Sequence, residues 1–247
     1  MKNSQVSLVF DYAMDEKRTS AYLDFIKNNV FGKTVVELGA GSGILAWLCV
    51  KYGANHVYAY ENNKRIFTWL DEFFKDNNKV TIVKEDVSKA TLLDADIYLQ
   101  EHFASDVYGE NILNIYKNLK YQNLEDKTFP NKIKIQHGTY DTNCNTITEP
   151  YTNFKEITNP DILEFLSLCP MDEILPGCIS HMEVDKSRVN INKTLFDGDI
   201  KDLLDLTLED TNDELVFWEA TFNGHHTLSN WKDKTHWNTY NLNYNGE

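Results

Sequence analysis

Three glycines at alternate positions, Gly39, Gly41 and Gly43, follow the apolar stretch 34–38 and precede a helix predicted over 44–52. Glycine at these positions removes side chains that would keep a ligand away from the backbone, and it permits positive φ angles. In an open parallel sheet, a tight turn at the carboxyl end of a strand lets backbone N–H groups and a helix N-terminus face a ligand. Glycines also form plain turns, but a strand before them and a helix after them favour a nucleotide-type site.

An acidic residue, Glu61, follows the next predicted strand, 18 residues beyond Gly43. A carboxylate in this place would accept hydrogen bonds from ribose hydroxyls, and the alternative is a solvated glutamate at a strand end. The spacing GxGxG differs from the GxGxxG of dinucleotide-binding sites, and Glu37 stands two residues before the first glycine. This arrangement resembles the first motif of class I S-adenosylmethionine-dependent methyltransferases. The resemblance implies S-adenosyl-L-methionine as the cofactor, with contacts from Glu37, Gly39, Gly41, Gly43, Ile44, Leu45, Glu61, Asp86 and Val87.

Two glutamates, Glu101 and Glu110, lie nine residues apart in a loop between a predicted strand and a predicted helix. Taken alone, acids near a helix start are more often surface charges that interact with the helix dipole. This loop resembles the double-glutamate loop of protein arginine N-methyltransferases. Three further motifs agree with that family in their order along the chain: Asp-Glu-Lys-Arg-Thr-Ser-Ala-Tyr at 15–22, Thr-Phe-Pro at 128–130 and Thr-His-Trp at 235–237.

The resemblance implies transfer of a methyl group from the cofactor to a guanidinium nitrogen of arginine in a basic or Arg/Gly-rich protein. A guanidinium is planar, always protonated and poorly nucleophilic, because its lone pairs are delocalised. The resemblance assigns Glu101 and Glu110 to a clamp that binds the guanidinium bidentately and leaves one terminal nitrogen to attack. Orientation and electrostatics would then supply most of the rate.

The N-terminal motif receives two roles from the same resemblance. Arg18 is assigned to the carboxylate of the cofactor, since arginine is a forked, charged donor. The family pairs the acid of its N-terminal helix with the histidine of the Thr-His-Trp motif, and here these residues are Asp15 and His236. A buried, hydrogen-bonded His236 beside a core Trp237 is the alternative.

Departures from the family concern the substrate pocket, which we predict to contain Tyr12, Tyr22, His102 and Trp237. The chain has His102-Phe103-Ala104 where the family usually has Trp-Met-Gly, so the substrate loop must pack differently. Tyr12 stands six residues before Arg18, where enzymes that make asymmetric dimethylarginine often have methionine, and its bulk favours a monomethyl or symmetric product. A catalytically weak homologue that serves as a regulatory subunit, and a methyltransferase with a non-arginine substrate, are the alternative functions.

The elements that position these residues alternate between strands and helices. Residues 7–29 carry apolar positions among charges, and one amphipathic helix is predicted there, starting near Asp15 and Glu16 and ending near Lys27. Strands are predicted at 34–38, 56–60, 80–84 and 96–99, and helices at 44–52, 64–75 and 110–119. This alternation predicts an α/β fold with a doubly wound, Rossmann-like parallel sheet.

A second, mostly β region follows. Residue alternation predicts strands at 128–140, 187–192, 215–222 and 238–244, with a short helix within 159–175. We therefore predict a Rossmann-like S-adenosylmethionine-binding domain with an N-terminal lid helix over 1–129, and a smaller, barrel-like substrate-binding domain over 130–247. The resemblance indicates a shortened leading helix and shortened barrel strands. Region 153–183 could replace the dimerisation arm of the family in a homodimer or heteromer.

Composition argues against several classes of protein. The formal net charge of −14 disfavours binding to nucleic-acid phosphates and fits a cationic partner, although solubility alone also explains such a charge. No apolar run approaches the roughly 18 residues of a membrane span, and the N-terminus has no apolar signal core. We therefore expect the protein in the cytoplasm or nucleus. The four cysteines form no CxxC pair, so we expect neither disulfides nor a metal site.

Overall fold

The computed structural model describes residues 9–10, 12–103, 107, 109–140, 148–150, 157–169, 180–182, 189–205, 215–231 and 240–241. Its first layer is a five-stranded parallel sheet in the order β3-β2-β1-β4-β5. The strands are β1 (Thr34–Leu38), β2 (His56–Tyr60), β3 (Val80–Val83), β4 (Ile97–Gln100) and β5 (Thr128–Phe129). Strands β2 and β3 lie on one side of β1, and β4 and β5 lie on the other. The strand order therefore reverses between β1 and β4, and a crevice opens at the carboxyl ends of these two strands.

The helices of this part of the chain are α1 (Glu16–Asn29), α2 (Ile44–Lys51), α3 (Lys64–Phe74) and α4 (Ile112–Tyr121). Their apolar residues recur at helical spacing and face inward. On α3, for example, Ile66, Leu70 and Phe74 stand four residues apart and are buried. The parallel sheet is thereby covered by helices, as a strand such as β1, which is buried from Val35 to Leu38, requires.

The predicted start of the N-terminal helix near Asp15 and Glu16 is confirmed, whereas the separate helical residues before it were not predicted. Residues 12–14 are helical, but Asp15 has an extended backbone, with φ −68° and ψ 92°, and is the N-cap of α1. Its side chain accepts the backbone N–H of Arg18 at 3.0 Å. Because this bond satisfies an N–H that has no partner within the helix, it favours a new helix start over continuation.

The second layer is an antiparallel sheet in the order β11-β10-β6-β9, with β12 also paired to β10. Its strands are β6 (Lys132–Tyr140), β9 (Val189–Asp199), β10 (Leu215–Phe222), β11 (His225–Ser229) and β12 (Tyr240–Asn241). A separate antiparallel pair consists of β7 (Thr148–Pro150) and β8 (Ser180–Met182). The ring of Phe222 on β10 lies 5.0 Å from the rings of both Tyr22 and Phe25 of α1. The antiparallel sheet therefore packs on α1.

The predicted doubly wound parallel sheet, followed by a smaller β region, is confirmed. Because β5 joins the parallel sheet and β6 the antiparallel sheet, the chain passes between them at residues 130–131. The domain boundary after residue 129 and the closure of the β region into a barrel stay predictions. Of the helices that the structure describes, none is both long and apolar enough to cross a bilayer.

A helix within the β region, α5 (Pro160–Ser167), packs back onto the first layer. Its Phe165 is fully buried, and the ring lies 6.4, 5.7 and 5.6 Å from the rings of Phe10, Trp47 and Phe73. The ring of Phe10 also meets Trp69 edge-on at 5.3 Å. The segment that precedes α1 is therefore held between α3 and α5.

Candidate active site

A cavity of about 280 Å³ opens at the carboxyl ends of the parallel strands. Its walls come from residues that follow β1, β2, β3 and β4, together with the segment that precedes α1. The predicted site residues that line it are Tyr12, Arg18, Glu37, Gly39, Gly41, Ile44, Leu45, Glu61, Val87, Glu101, His102 and Glu110. The topology thus brings the predicted cofactor loop and the predicted clamp into one cavity.

Backbone N–H groups of the glycine loop donate hydrogen bonds within the protein. The N–H groups of Gly39 and Ala40 donate to the carbonyl of Tyr60 at 3.1 and 2.8 Å, and that of Gly41 donates to the Glu61 carboxylate at 3.2 Å. The expectation that these N–H groups face a ligand is therefore wrong, because they donate hydrogen bonds to Tyr60 and Glu61 at the end of β2. What the loop offers at Gly41 is a cavity wall without a side chain, at a φ angle of 54°, whereas at Gly39, with a φ of 78°, the imidazole of His102 covers the corresponding position.

Gly43, predicted to contact the cofactor, is not among the residues that line the cavity. Its φ is 84°, and a Cβ added there would lie 2.8 Å from Cδ2 of Leu70 and 2.9 Å from Cε2 of Phe74. Both neighbours belong to α3. The structure therefore gives Gly43 a packing role, because only a residue without a side chain lets α3 approach the start of α2.

Two carboxylates lie at the ends of β1 and β2 on the cavity wall. Burial raises the pKa of Glu61, although its carboxylate accepts backbone N–H groups, including that of Asn63 at 2.7 Å. Glu37 is 2% exposed, and burial raises its pKa well above the usual range while the Ala46 N–H donates to it. Within the described residues, Oε2 of Glu37 has no hydrogen-bond partner. Both groups have acceptor capacity left for a ligand.

Arg18 pairs with the first clamp residue. Its Nη2 donates to Oε2 of Glu101 at 2.7 Å, and its Nη1 donates to the carbonyl of Tyr12 at 3.3 Å. Burial disfavours the charge on Arg18, but Glu101 outweighs burial and the pKa is raised. The sequence predicted that Arg18 binds the cofactor and that Glu101 binds the substrate, and in the structure the two side chains also bind each other. Nε of Arg18 is buried and has no partner in the part of the chain that the structure describes.

The second clamp residue, Glu110, lines the same cavity at its exposed rim. Partial burial of the carboxyl group, together with the negative charge of Glu101, raises its pKa to about 8, and Arg18 opposes this change. The charge of Glu101 disfavours a second negative charge on Glu110, as expected for two acids that are arranged to receive a cation.

The loop that carries Glu101 is held on both sides of it. The hydroxyl of Tyr22 donates to the Gln100 carbonyl at 2.6 Å, and the N–H of His102 donates to Oε1 of Gln100 at 3.0 Å. The fully buried ring of Phe103 stacks on Trp218 of β10 at 5.0 Å. Phe103 therefore anchors this loop to the antiparallel sheet, and a packing different from that of the family stays a prediction.

Several predicted site residues lie elsewhere. Tyr22 is buried beneath Arg18 and is not among the cavity-lining residues. Asp86 does not line the cavity either, because its carboxylate accepts the N–H and hydroxyl of Ser88 at 3.0 and 2.7 Å. Asp15 caps α1, as described above. His236 and Trp237 lie outside the described residues, so the pairing of Asp15 with His236 and the place of Trp237 stay predictions.

Sequence reasoning missed cavity-lining residues that flank predicted ones: Val9, Ala40, Ser42, Tyr60, Asn62 and Glu85. Most of them could have been found as chain neighbours of the glycine loop and of Glu61. Glu85 and Asp86 are adjacent acids after β3, and the residue type does not distinguish them. The hydrogen bonds that Ser88 donates to Asp86 distinguish the two acids, since they hold the Asp86 carboxylate outside the cavity, whereas Glu85 lines the cavity wall.

Comparisons with known proteins concern the sequence and the fold of the chain. No family model matches the chain. Protein arginine N-methyltransferase 1 of Oryza sativa subsp. japonica is 35% identical over 108 residues, which are 40% of this chain and 28% of that protein. Ribosomal protein arginine N-methyltransferase rmt3 of Schizosaccharomyces pombe is 38% identical over 82 residues, which are 30% of this chain and 15% of that protein. The matches thus span less than a third of the length of these curated relatives.

Solved structures resemble the chain over nearly its whole length. The Trypanosoma brucei PRMT1 enzyme–prozyme heterotetrameric complex with AdoHcy has a TM-score of 0.65 and 22% identity, covering 96% of this chain and 81% of that chain. A crystal structure of PRMT6 has a TM-score of 0.65 and 15% identity, covering 99% of this chain and 89% of that chain. At these identities the likeness concerns the fold. In sequence and in fold together, this chain is related to the protein arginine N-methyltransferases.

Proposed function

We propose that this protein transfers a methyl group from S-adenosyl-L-methionine to a guanidinium nitrogen of an arginine in a protein substrate. The observation that carries this proposal is a single cavity that joins the glycine loop and Glu61 to the two glutamates Glu101 and Glu110. The names of the curated relatives support the reaction, and the AdoHcy in the Trypanosoma brucei complex supports the cofactor.

The residues present fit this cofactor. Gly41 leaves the cavity wall without a side chain, and Glu61 offers carboxylate oxygens to ribose hydroxyls. Arg18 offers a charged donor to a carboxylate, because its buried Nε has no partner within the described residues. When bound, the cofactor supplies an electrophilic methyl group on a positively charged sulfur.

The clamp would hold the guanidinium of the substrate. Since Arg18 occupies Oε2 of Glu101, Oε1 of Glu101 and the carboxylate of Glu110 are the atoms that we assign to the substrate. Charge-assisted bonds to both acids would fix the direction in which the remaining terminal nitrogen points. Methylation of a protonated guanidinium releases one proton. Glu110, with a pKa of about 8 and a place at the exposed rim, would accept this proton and return it to solvent.

We propose a basic, Arg/Gly-rich segment as the substrate, met in the cytoplasm or nucleus. The net charge of −14 attracts cationic partners at long range. Glycines on either side of an arginine would let its side chain enter the cavity without steric hindrance from its neighbours.

Transfer of labelled methyl from the cofactor to an Arg/Gly-rich peptide tests this function, with the modified residue type identified by mass spectrometry. We expect label on arginine, and a loss of at least about 100-fold in Glu101→Gln and in Glu110→Gln, because each change removes a charged partner that orients the guanidinium. Glu72→Gln is the matched control, since Glu72 is an exposed side chain that pairs with Lys75 on α3. Transfer that survives both clamp changes, or label on another residue type, would refute the arginine assignment.

A regulatory subunit with little activity of its own is the second candidate. The observation that favours it is the bond between Arg18 and Glu101, because a guanidinium of the protein already occupies one clamp oxygen. The Trypanosoma brucei complex combines an enzyme with a prozyme, and we propose a homodimer or heteromer for this chain as well. Cofactor binding in calorimetry, without transfer to any arginine peptide, would support this candidate over the first.

A further inference from the structure

His102 lies against the glycine loop on the wall of the cavity. A Cβ added to Gly39 would lie 2.8 Å from Nε2 and 3.0 Å from Cε1 of His102. The edge of the imidazole that carries Nε2 therefore covers the position where Gly39 lacks a side chain. Both residues line the cavity, so a ligand that reaches this wall meets the imidazole.

The backbone N–H groups of the glycine loop beside the imidazole already donate hydrogen bonds within the protein. The N–H groups of Gly39 and Ala40 both donate to the carbonyl of Tyr60. A polar ligand group that lies against Gly39 therefore receives no hydrogen bond from these two amides. The polar atom at this part of the wall is Nε2 of His102.

The protonation state of His102 follows from its buried side. Its Nδ1 is buried and has no hydrogen-bond partner among the residues that the structure describes. An unpaired buried N–H is rarer in proteins than an unpaired acceptor, which places the single proton of the neutral ring on Nε2. Burial lowers the pKa of His102 to about 4, although Glu101 and Asp86 act in the other direction, so the ring is neutral at physiological pH.

The charges around the cavity indicate which ligand group this donor serves. Glu37, Glu61, Glu101 and Glu110 line the cavity as acceptors and disfavour an anionic group near them. An anionic group must therefore be met by nitrogen donors. Arg18 is the cation on this wall, and its Nε has no partner within the described residues.

We propose that Nε2–H of His102 donates a hydrogen bond to the carboxylate of the amino-acid end of the cofactor, as a second donor beside Arg18. The proposal rests on the proposed function, since it takes S-adenosyl-L-methionine as the ligand. It moves His102 from the substrate pocket, where we predicted it, to the cofactor.

Calorimetric titration with two ligands tests this proposal without any measurement of activity. S-adenosylhomocysteine has the amino-acid end, whereas 5′-methylthioadenosine has the same nucleoside without it. In His102→Ala, we expect the affinity for S-adenosylhomocysteine to fall roughly 10- to 100-fold, as for loss of a hydrogen bond to a charged group. The affinity for 5′-methylthioadenosine should change less than about twofold. His102→Gln retains an N–H donor and should recover part of the loss.

Three outcomes would overturn the proposal. An equal loss for both ligands would mean that His102 only supports the loop, and an unchanged affinity for S-adenosylhomocysteine would mean that it makes no contact. If the unsubstituted protein binds neither ligand, the proposed function fails and this inference fails with it. Binding of the second ligand also reports that each variant retains a folded site.

Discussion

Replacing Gly43 by alanine tests the packing role that the structure gives this residue. At a φ of 84° a residue with a Cβ costs about 1–2 kcal/mol relative to glycine. The added Cβ would also lie within 2.9 Å of side chains of Leu70 and Phe74, which are 0% and 4% exposed. Overpacking of this kind typically costs about 1–3 kcal/mol. We therefore expect the free energy of unfolding to fall by about 2–5 kcal/mol.

Gly32→Ala is the matched control for this change. Gly32 has a φ of 72°, but a Cβ added there would have no atom within 4 Å. The free energy of unfolding of Gly32→Ala should therefore fall only by the backbone cost of about 1–2 kcal/mol. Any reduction in the entropy of the unfolded state is common to both variants. Urea denaturation of the three proteins measures the losses, provided that the m-values agree. The difference between the two variants isolates the contact with α3.

Two results would refute this reasoning. Equal losses in Gly43→Ala and Gly32→Ala would show that α3 does not meet the loop at this point. A Gly43→Ala protein of normal stability that no longer binds S-adenosylhomocysteine would return Gly43 to the cavity wall, where the glycine spacing alone had placed it.

Two further predictions concern the clamp and α5. The kcat/KM for an arginine peptide should rise with pH up to about pH 8 and then level off, because below this pH Glu110 carries a proton that the guanidinium must displace. A pH profile that is flat through the pKa of Glu110 would contradict its assignment to the clamp. Phe165→Ala should lower the free energy of unfolding by about 3–5 kcal/mol in urea denaturation, since the ring is fully buried between three aromatic rings. Leu168→Ala, at a side chain that is 56% exposed, should change it by less than about 0.5 kcal/mol, and similar losses in both would contradict the packing described for α5.

The parallel sheet was predictable from the sequence because its signals are local. Apolar strands, helical spacing and the glycine loop place β1, β2 and the helices that follow them within about two residues of their observed ends. The start of α1 at Asp15 and Glu16 was predictable from residue types that favour a helix N-terminus, and a single side-chain bond fixes it there. The helical residues 12–14 before it were missed as a separate segment. Capping depends on one residue, whereas periodicity averages over many.

The β region was less predictable because its strands are partly exposed. Strand β9 extends to Asp199, whereas 187–192 was predicted, since exposed polar residues along it give no alternating apolar pattern. Strand β11 was missed, although the pair Asn223-Gly224 before it is a strong signal for a tight hairpin turn. The two residues have φ angles of 52° and 80°, as that kind of turn requires.

The site was predictable as a set of residues but not as a set of contacts. The motifs identified Arg18 and Glu101, and the cavity brings both together with the glycine loop. Their direct bond joins residues 83 positions apart, and no local pattern in the sequence reports it. The same holds for the stack between Phe103 and Trp218, which depends on how the two sheets meet.

The raised pKa values of the cavity carboxylates have a consequence for what the site holds before a ligand enters. Burial raises the pKa of Glu37, Glu61 and Glu110, so each of these groups retains a proton to higher pH in the cavity than it would in water. A sulfonium and a guanidinium are fixed positive charges that can take the place of those protons. Loading the site is then an exchange of one kind of cation for another. In the proposed reaction the sulfur is neutral after transfer, so the site holds one positive charge fewer. A carboxylate of the cavity can then bind a proton from solvent.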